Sequence, residues 1–237
     1  MTAGEQLEQP THEHADVAGG WLRAAVFGAM DGLVTNTALV AGVGGGGVSA
    51  HAVVLTGVAG LSAGAISMAL GEYTSVSTQN EQLQLEVDKE RRELLVNPDG
   101  EERELAELWE ARGLEPDLAA AVARQLSRDP EQALRVHALN ELGLDPDERP
   151  SPMTAAVSSF VCFAVGAAVP LLPYLLGVPL LWLALLCGGA GLVAAGAISA
   201  RFTPRPWWSA GLRQLVFGAV AAVATYLIGA AIGVGTG

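Results

Sequence analysis

Between Ala24 and Asn80 only two side chains carry a formal charge, Asp31 and Glu72, and both are set among glycine, alanine and aliphatic residues. Asp31 lies in Phe27-Gly28-Ala29-Met30-Asp31-Gly32-Leu33-Val34-Thr35-Asn36, and Glu72 in Ala63-Gly64-Ala65-Ile66-Ser67-Met68-Ala69-Leu70-Gly71-Glu72-Tyr73. Met68 and Glu72 are four apart, so a helix puts them on one face. An ionisable group in a run apolar enough to enter a bilayer costs about 3 kcal/mol on insertion scales, which makes it a functional candidate by default. Carboxylate oxygens suit Mg²⁺, Ca²⁺ or Mn²⁺, whereas a thioether tilts the preference toward Fe²⁺ and other transition metals. The chemistry these residues offer is coordination and passage of a divalent cation, and a carboxylate that binds metal can also carry a proton. In the competing reading Asp31 caps polar backbone and Met68 fills a packing gap, a common use of methionine.

A second set of donors lies between residues 80 and 150. Glu90 and Glu93 are three apart, as are Glu101 and Glu104, while His137 and Glu141 are four apart and share a helix face. Glu90 falls in line with Leu83, Val87 and Leu94, so it points toward neighbouring helices. Inward carboxylates repel one another unless a cation lies between them. His137 adds a borderline nitrogen that suits Fe²⁺, Mn²⁺ or Zn²⁺ better than Mg²⁺ or Ca²⁺. Metal binding would therefore draw the insert helices together as a clamp. The bland alternative is a solvated acidic face. No nucleophile is paired with a base and no Glu-x-x-His pair is present, so neither an enzyme nor ferroxidase chemistry is expected.

The elements that must hold these groups follow from charge and hydropathy. Residues 150–200 and 214–237 contain no Asp, Glu, Lys or Arg, although the chain of 237 residues has a net charge of -12. About 20 apolar residues cross a bilayer as a helix, so these runs read as membrane spans. The expected fold is all-α, with five transmembrane helices and a helical insert between spans two and three. Residues 1–20 form a polar tail in which His12 and His14 could hold a metal, and no cleavable signal peptide is expected. Residues 21–79 form spans one and two, 80–150 the acidic insert, and 151–237 spans three to five. Span one runs from about Trp21 to Val43 and ends in four glycines. No proline interrupts residues 50–97, so span two continues out of the membrane as one rod carrying Glu90 and Glu93. In the insert, Asn97-Pro98-Asp99-Gly100 reads as a turn before a helix over Glu101–Arg112. Glu115-Pro116 and Asp129-Pro130 read as helix starts. Span five is expected over Leu212–Val234, after an interfacial loop bearing Trp207 and Trp208.

The insert carries 19 acidic and 9 basic residues, and all 13 Lys and Arg fall at one side of the five-span arrangement. The positive-inside rule makes that side cytoplasmic and the C-terminus external. Asp31 and Met68 then lie at similar depth, roughly 15 Å into the membrane. Cys162 and Cys187 are isolated packing residues. The sequence echoes itself, Leu22–Ala29 with Leu212–Ala219 and Ala63–Ser67 with Ala195–Ser199. Arginine outnumbers lysine twelve to one, as in GC-rich bacterial genomes, so a bacterial plasma membrane is expected.

The run Asp31-Gly32-Leu33-Val34-Thr35, then Ala63-Gly64-Ala65-Ile66-Ser67-Met68, then Gly71-Glu72-Tyr73, with an acidic helical insert after the second of five spans, resembles the vacuolar iron transporter family over residues 21–237. The resemblance implies a homodimer exporting Fe²⁺, often Mn²⁺ too, from the cytosol in exchange for protons. It also implies that Asp31 and Met68 are translocation ligands. Glu90, Glu93, Glu101, Glu104 and Glu141 match carboxylates of the family's cytoplasmic metal-binding domain. Two positions depart from the pattern. Gly60 stands where eukaryotic members tend to have an acid eight residues before the motif methionine, leaving Glu72 as this chain's acid. His137-Ala138 stands where a Met-Glu pair is expected. The expected partners are divalent metal ions, protons, the lipid bilayer and a second copy of the chain, with no nucleic acid and no prosthetic group. The competing function is a membrane-anchored metal sensor or buffer without net transport, which would need no ligand at the depth of Asp31.

Overall fold

The computed structural model describes residues 20–143 and 149–234, and the expectations for His12 and His14 lie outside the described residues. The chain forms α1 (Gly20–Gly45), α2 (Ala50–Val96), α3 (Pro98–Ala111), α4 (Pro116–Leu126) and α5 (Pro130–His137), the last followed by a π-helical turn, Ala138–Leu142. Then come α6 (Pro152–Ala168), α7 (Leu172–Leu175), α8 (Leu181–Ser199) and α9 (Trp207–Val234). Among the described residues five stretches are long and apolar enough to cross a membrane: Gly20–Gly45, Ala50–Val96, Pro152–Leu175, Leu181–Phe202 and Trp207–Gly233. The fold is an all-α membrane protein, with three further helices, α3 to α5, between the second and third of these stretches.

Helix α2 is one element of 47 residues, a rod of about 70 Å at 1.5 Å per residue. Ser49 starts it by accepting the Ala52 N–H at 3.3 Å. It stops at Asn97, because the residue before a proline is disfavoured in the α region. Here the structure differs from the sequence reading. Asn97-Pro98-Asp99-Gly100 is not a free-standing turn; Pro98 opens α3 directly, and Asp99 and Glu101 sit in its first turn. Proline at the first helical position loses no hydrogen bond, since that N–H has no helical acceptor. The far end of the chain also shifts. Helix α9 begins at Trp207, so the two tryptophans form its first turn rather than a preceding loop.

Helix α1 is the hub of the bundle, and small residues let its neighbours approach. A Cβ at Gly32 would run into the Phe163 carbonyl of α6, and one at Gly166 into the Ala29 carbonyl of α1. On another side Gly42 and Gly46 meet Gly229 and Gly233 of α9, where a Cβ at Gly229 would overlap the Gly42 carbonyl. These pairings rise together along the chain, so α1, α6 and α9 run parallel. Thr37 and Leu33 face Gly188 and Gly191 of an antiparallel α8. Close backbone approach replaces the hydrophobic drive that lipid removes. Where Pro170 cannot donate, the end of α6 tightens into a 3-10 turn over Val169–Leu171, and Asn36 donates to the Ala167 carbonyl at 2.5 Å.

The α1–α9 ladder yields a stability test. Gly229→Val should destabilise the chain by about 1–3 kcal/mol through overpacking against rigid backbone. Gly189→Ala, which meets only the end of the Leu215 side chain at 3.3 Å, should be tolerated. Thermal unfolding of the two variants in one detergent checks the contrast.

Candidate metal centres

The first centre lies between α1 and α2. The helices are antiparallel: Val76 packs with Ala24, and a Cβ at Gly60 would meet Leu39 and, at 3.6 Å, the Asn36 Oδ1. Met68 is midway between Gly60 and Val76, and Asp31 midway between Ala24 and Leu39, so the two come level. Asp31 is half-buried, and its Oδ1 accepts from the Thr35 hydroxyl at 3.3 Å. Phe27 and Thr35, one turn to either side, are exposed. The carboxylate therefore sits on an outer face of the chain. Met68 packs against Ala65, Phe163 and Ala167. The two share a depth, but their neighbours differ.

Glu72 is buried and lies at the level of Arg23, whose guanidinium donates to its Oε2 at 3.2 Å. The two residues are 49 positions apart, and the sequence reading did not pair them. The Arg23 side chain is itself 63% exposed. It is a cation on a flexible stem with water on one side, holding a carboxylate at the edge of the apolar zone.

The second centre is carried by α2, α3 and α5, outside the apolar stretches. Its hub is His137, which is completely buried. Nδ1 lies 3.0 Å from Glu141 Oε1, 3.1 Å from Glu90 Oε1 and 3.8 Å from Glu101 Oε2. One ring nitrogen can bear one proton. The Glu141 contact has hydrogen-bond geometry, while Glu90 Oε1, although close, has no hydrogen-bond partner. On the far side of the ring Nε2 is buried and also unpartnered. Oxygens that crowd a nitrogen they cannot all bond are arranged as ligands are. Cis donors around a cation with 2.1 Å bonds sit about 3 Å apart, and the donor atoms of Glu90, Glu101 and His137 all lie within 4.8 Å of one another.

Local structure explains the convergence. Leu83, Val87 and Leu134 form a core that clamps α5 onto the α2 rod, and Glu90 continues that buried stripe. Glu101 is buried in the first turn of α3. Glu141 reaches back from the π-helical turn, a rare element often found at functional sites. Glu93 and Glu104 are exposed and do not join the His137 cluster. Glu93 still lines a cavity of ≈ 60 Å³ with Glu86, Lys89, Glu90, His137 and Glu141. Glu86 was missed by the sequence reading, although its position four residues before Glu90 was a usable signal.

The crowding shows in acidity. Burial first, then the charge of Glu141, pushes Glu90 up to about 7, with Glu101 and Glu93 adding to the rise and His137 opposing it. Burial and then Glu104 raise Glu101, again against His137.

Charge is thus scarce in the apolar windows, where Asp31, Met68 and Glu72 offer oxygen and sulfur donors, and a second set of oxygen and nitrogen donors gathers around His137 further along the α2 rod. A helical integral membrane protein with the donor types of cation sites is the class this defines. Within it, the VIT family model matches residues 22–230, and the chain belongs to that family. It is 37% identical over 203 residues to a vacuolar iron transporter of Acanthamoeba castellanii, covering 81% of this chain and 74% of the relative. A vacuolar iron transporter 1 of Oryza sativa is 33% identical over 233 residues, 95% of this chain and 92% of the relative. The Arabidopsis thaliana protein of that name is 35% identical over 173 residues, 72% of this chain and 68% of the relative.

The raised carboxyls set a pH dependence. Glu90 moves from 4.5 to about 7 on folding, so between those values the folded state holds more protons than the unfolded one. Its contribution then makes the metal-free insert more stable as pH falls through about 7 toward 4.5, and less stable as pH rises. Added Mn²⁺ should reverse the trend, because coordination needs the ionised carboxylates. Hydrogen exchange of α3 and α5 amides in the full chain, at pH 6 and pH 8 with and without Mn²⁺, reads both signs.

Proposed function

We propose that the chain is a divalent-metal transporter that moves Fe²⁺, and also Mn²⁺, out of the cytosol in exchange for protons. The observation that carries this reading is the half-buried Asp31 on an outer face of α1, level with Met68, in a membrane stretch that otherwise excludes charge. A sensor or buffer needs donors in the insert but none at that depth, so the membrane site favours transport. The names of the relatives supply iron. The donor set agrees with it, since the thioether of Met68 and the imidazole of His137 favour borderline metals such as Fe²⁺, Mn²⁺ and Zn²⁺ over Mg²⁺ or Ca²⁺. VIT family members are transporters, and an enzymatic role has no support from the residues.

In this account Glu90, Glu101, His137 and Glu141 capture the metal on the cytosolic side, with Glu93 and Glu104 providing outer negative charge. Glu72 receives it at the inner mouth, where Arg23 must release the carboxylate. Asp31 and Met68 then pass it through the membrane. An ionised carboxylate left facing lipid is costly, which supports a homodimer in which the face of Phe27, Asp31 and Thr35 meets its counterpart and encloses the path. The location proposed is a bacterial plasma membrane, with the insert in the cytosol and the C-terminus outside.

Flux into proteoliposomes, with and without a pH gradient, tests the reading. Asp31→Ala or Met68→Ala should reduce Fe²⁺ and Mn²⁺ flux to background while metal binding by the insert persists. Joint Glu90→Ala/Glu93→Ala should lower flux severalfold without abolishing it. Wild-type flux in the Asp31→Ala protein, or full flux from a particle of monomeric mass, would remove the pathway or the dimer respectively. Metal binding without flux in the unaltered protein would instead establish the sensor reading.

A further inference from the structure

A cavity outside both metal centres lies where α8 ends and α9 begins. It has a volume of ≈ 500 Å³ and is lined by Ala197, Ile198, Ala200, Arg201, Arg205 and Trp207. Its inner wall is small and aliphatic, continuing the surface of a span, while its rim carries two guanidinium groups and an indole. We propose that this cavity binds one anionic phospholipid of the leaflet on the insert side, with the headgroup phosphate held between Arg201 and Arg205.

Four observations support the assignment. First, both arginines are exposed, and among the described residues neither is held by a carboxylate, a carbonyl or another side chain. Both line the same cavity, and no carboxylate is among its lining residues. Arginine's planar fork matches phosphate oxygens in a bidentate way. Second, the positive end of the α9 helix lies at the rim, since the helix begins at Trp207, and this adds attraction for an anion. Third, Trp207 and Trp208 are 64% and 59% exposed, as expected of indoles seated at headgroup level. Fourth, the aliphatic wall from Ala197 to Ala200 is apolar enough to take the start of an acyl chain, which a soluble anion would leave unused. Basic pockets between spans on the side rich in Lys and Arg are a physical basis for anionic lipid recognition.

The lipid would also offset a repulsion. The insert, with 19 acidic and 9 basic residues, stands over a leaflet whose anionic headgroups repel it. A clamp at Arg201 and Arg205 ties the α8–α9 end of the bundle to that same leaflet.

The test uses the full-length protein in mild detergent, with added phosphatidylglycerol, phosphatidylcholine or inorganic phosphate, read by native mass spectrometry and thermal unfolding. One phosphatidylglycerol per chain should survive activation and raise the melting temperature, while phosphatidylcholine does neither. Joint Arg201→Gln/Arg205→Gln should weaken phosphatidylglycerol retention about tenfold or more, as expected for the loss of two arginine contacts. Arg201→Lys/Arg205→Lys, which keeps the charge but loses the planar fork, should show retention below that of the unaltered protein and above that of the double Gln variant. Arg213→Gln, which removes a charge on the same side outside the cavity, should leave it unchanged and thus separates a built site from general positive charge. The proposal is overturned if the double Gln variant, still binding Mn²⁺ at its insert, retains phosphatidylglycerol like the unaltered protein. Equal retention of phosphatidylcholine, or displacement of the lipid by millimolar inorganic phosphate, would also overturn it.

Discussion

An unbroken hydrogen-bonded helix, α2, is the constraint on which the rest depends. Met68, Glu72 and Glu90 all belong to it, and the 18 residues from Glu72 to Glu90 span about 27 Å of continuous helix. Because no proline or glycine pair interrupts this stretch, whatever moves Glu90 acts along a stiff element that passes beside α1 at the depth of Asp31. The other insert helices are short, and each is anchored to the rod or to a neighbour already anchored there. Chain connectivity thus couples two centres that lie too far apart to touch.

The two centres manage charge differently. In the insert, three carboxylates share one imidazole nitrogen, and their mutual repulsion is relieved in part by His137 and in part by the upward shift of Glu90 to about 7. In the membrane, each carboxylate has its own arrangement. Glu72 is neutralised by Arg23 at 3.2 Å, while among the described residues Asp31 has the Thr35 hydroxyl, at 3.3 Å, as its one hydrogen-bond partner. A carboxylate with one neutral donor is the less satisfied of the two, and it lies on the face where a second copy is proposed to sit. At the level of Asp31 the glycines Gly28 and Gly32 turn toward α6, and Gly42 and Gly46 meet α9 only about three turns further along α1, so the close contacts leave the carboxylate's own turn open.

Much of this was legible in the sequence because charge exclusion is a strong signal. The spans followed from uncharged runs, the length of α2 from the absence of proline, and the inward aim of Glu90 from its alignment with Leu83 and Val87. Family membership followed from the Asp31 and Met68 motifs. Other features were not legible. The Arg23–Glu72 pair depends on the register of two helices 49 residues apart, and no local pattern encodes that register. Glu93 and Glu104 share the three-residue spacing of Glu90 and Glu101, but spacing does not say which of a pair turns inward. The start of α3 at Pro98 was misread because Asn-Pro-Asp-Gly satisfies turn chemistry and helix-start chemistry equally, and Pro98 at the first helical position decided it.

The central claim is that the convergence on His137 is a metal site. Anomalous scattering from crystals of the full-length protein grown at neutral pH with Mn²⁺ tests it most directly. One Mn²⁺ peak is expected within bonding distance of His137 Nδ1, Glu90 and Glu101, with Glu141 turned from the imidazole onto the metal. Saturating Mn²⁺ with no peak at that position, and with Glu141 still hydrogen-bonded to His137 Nδ1, would contradict it.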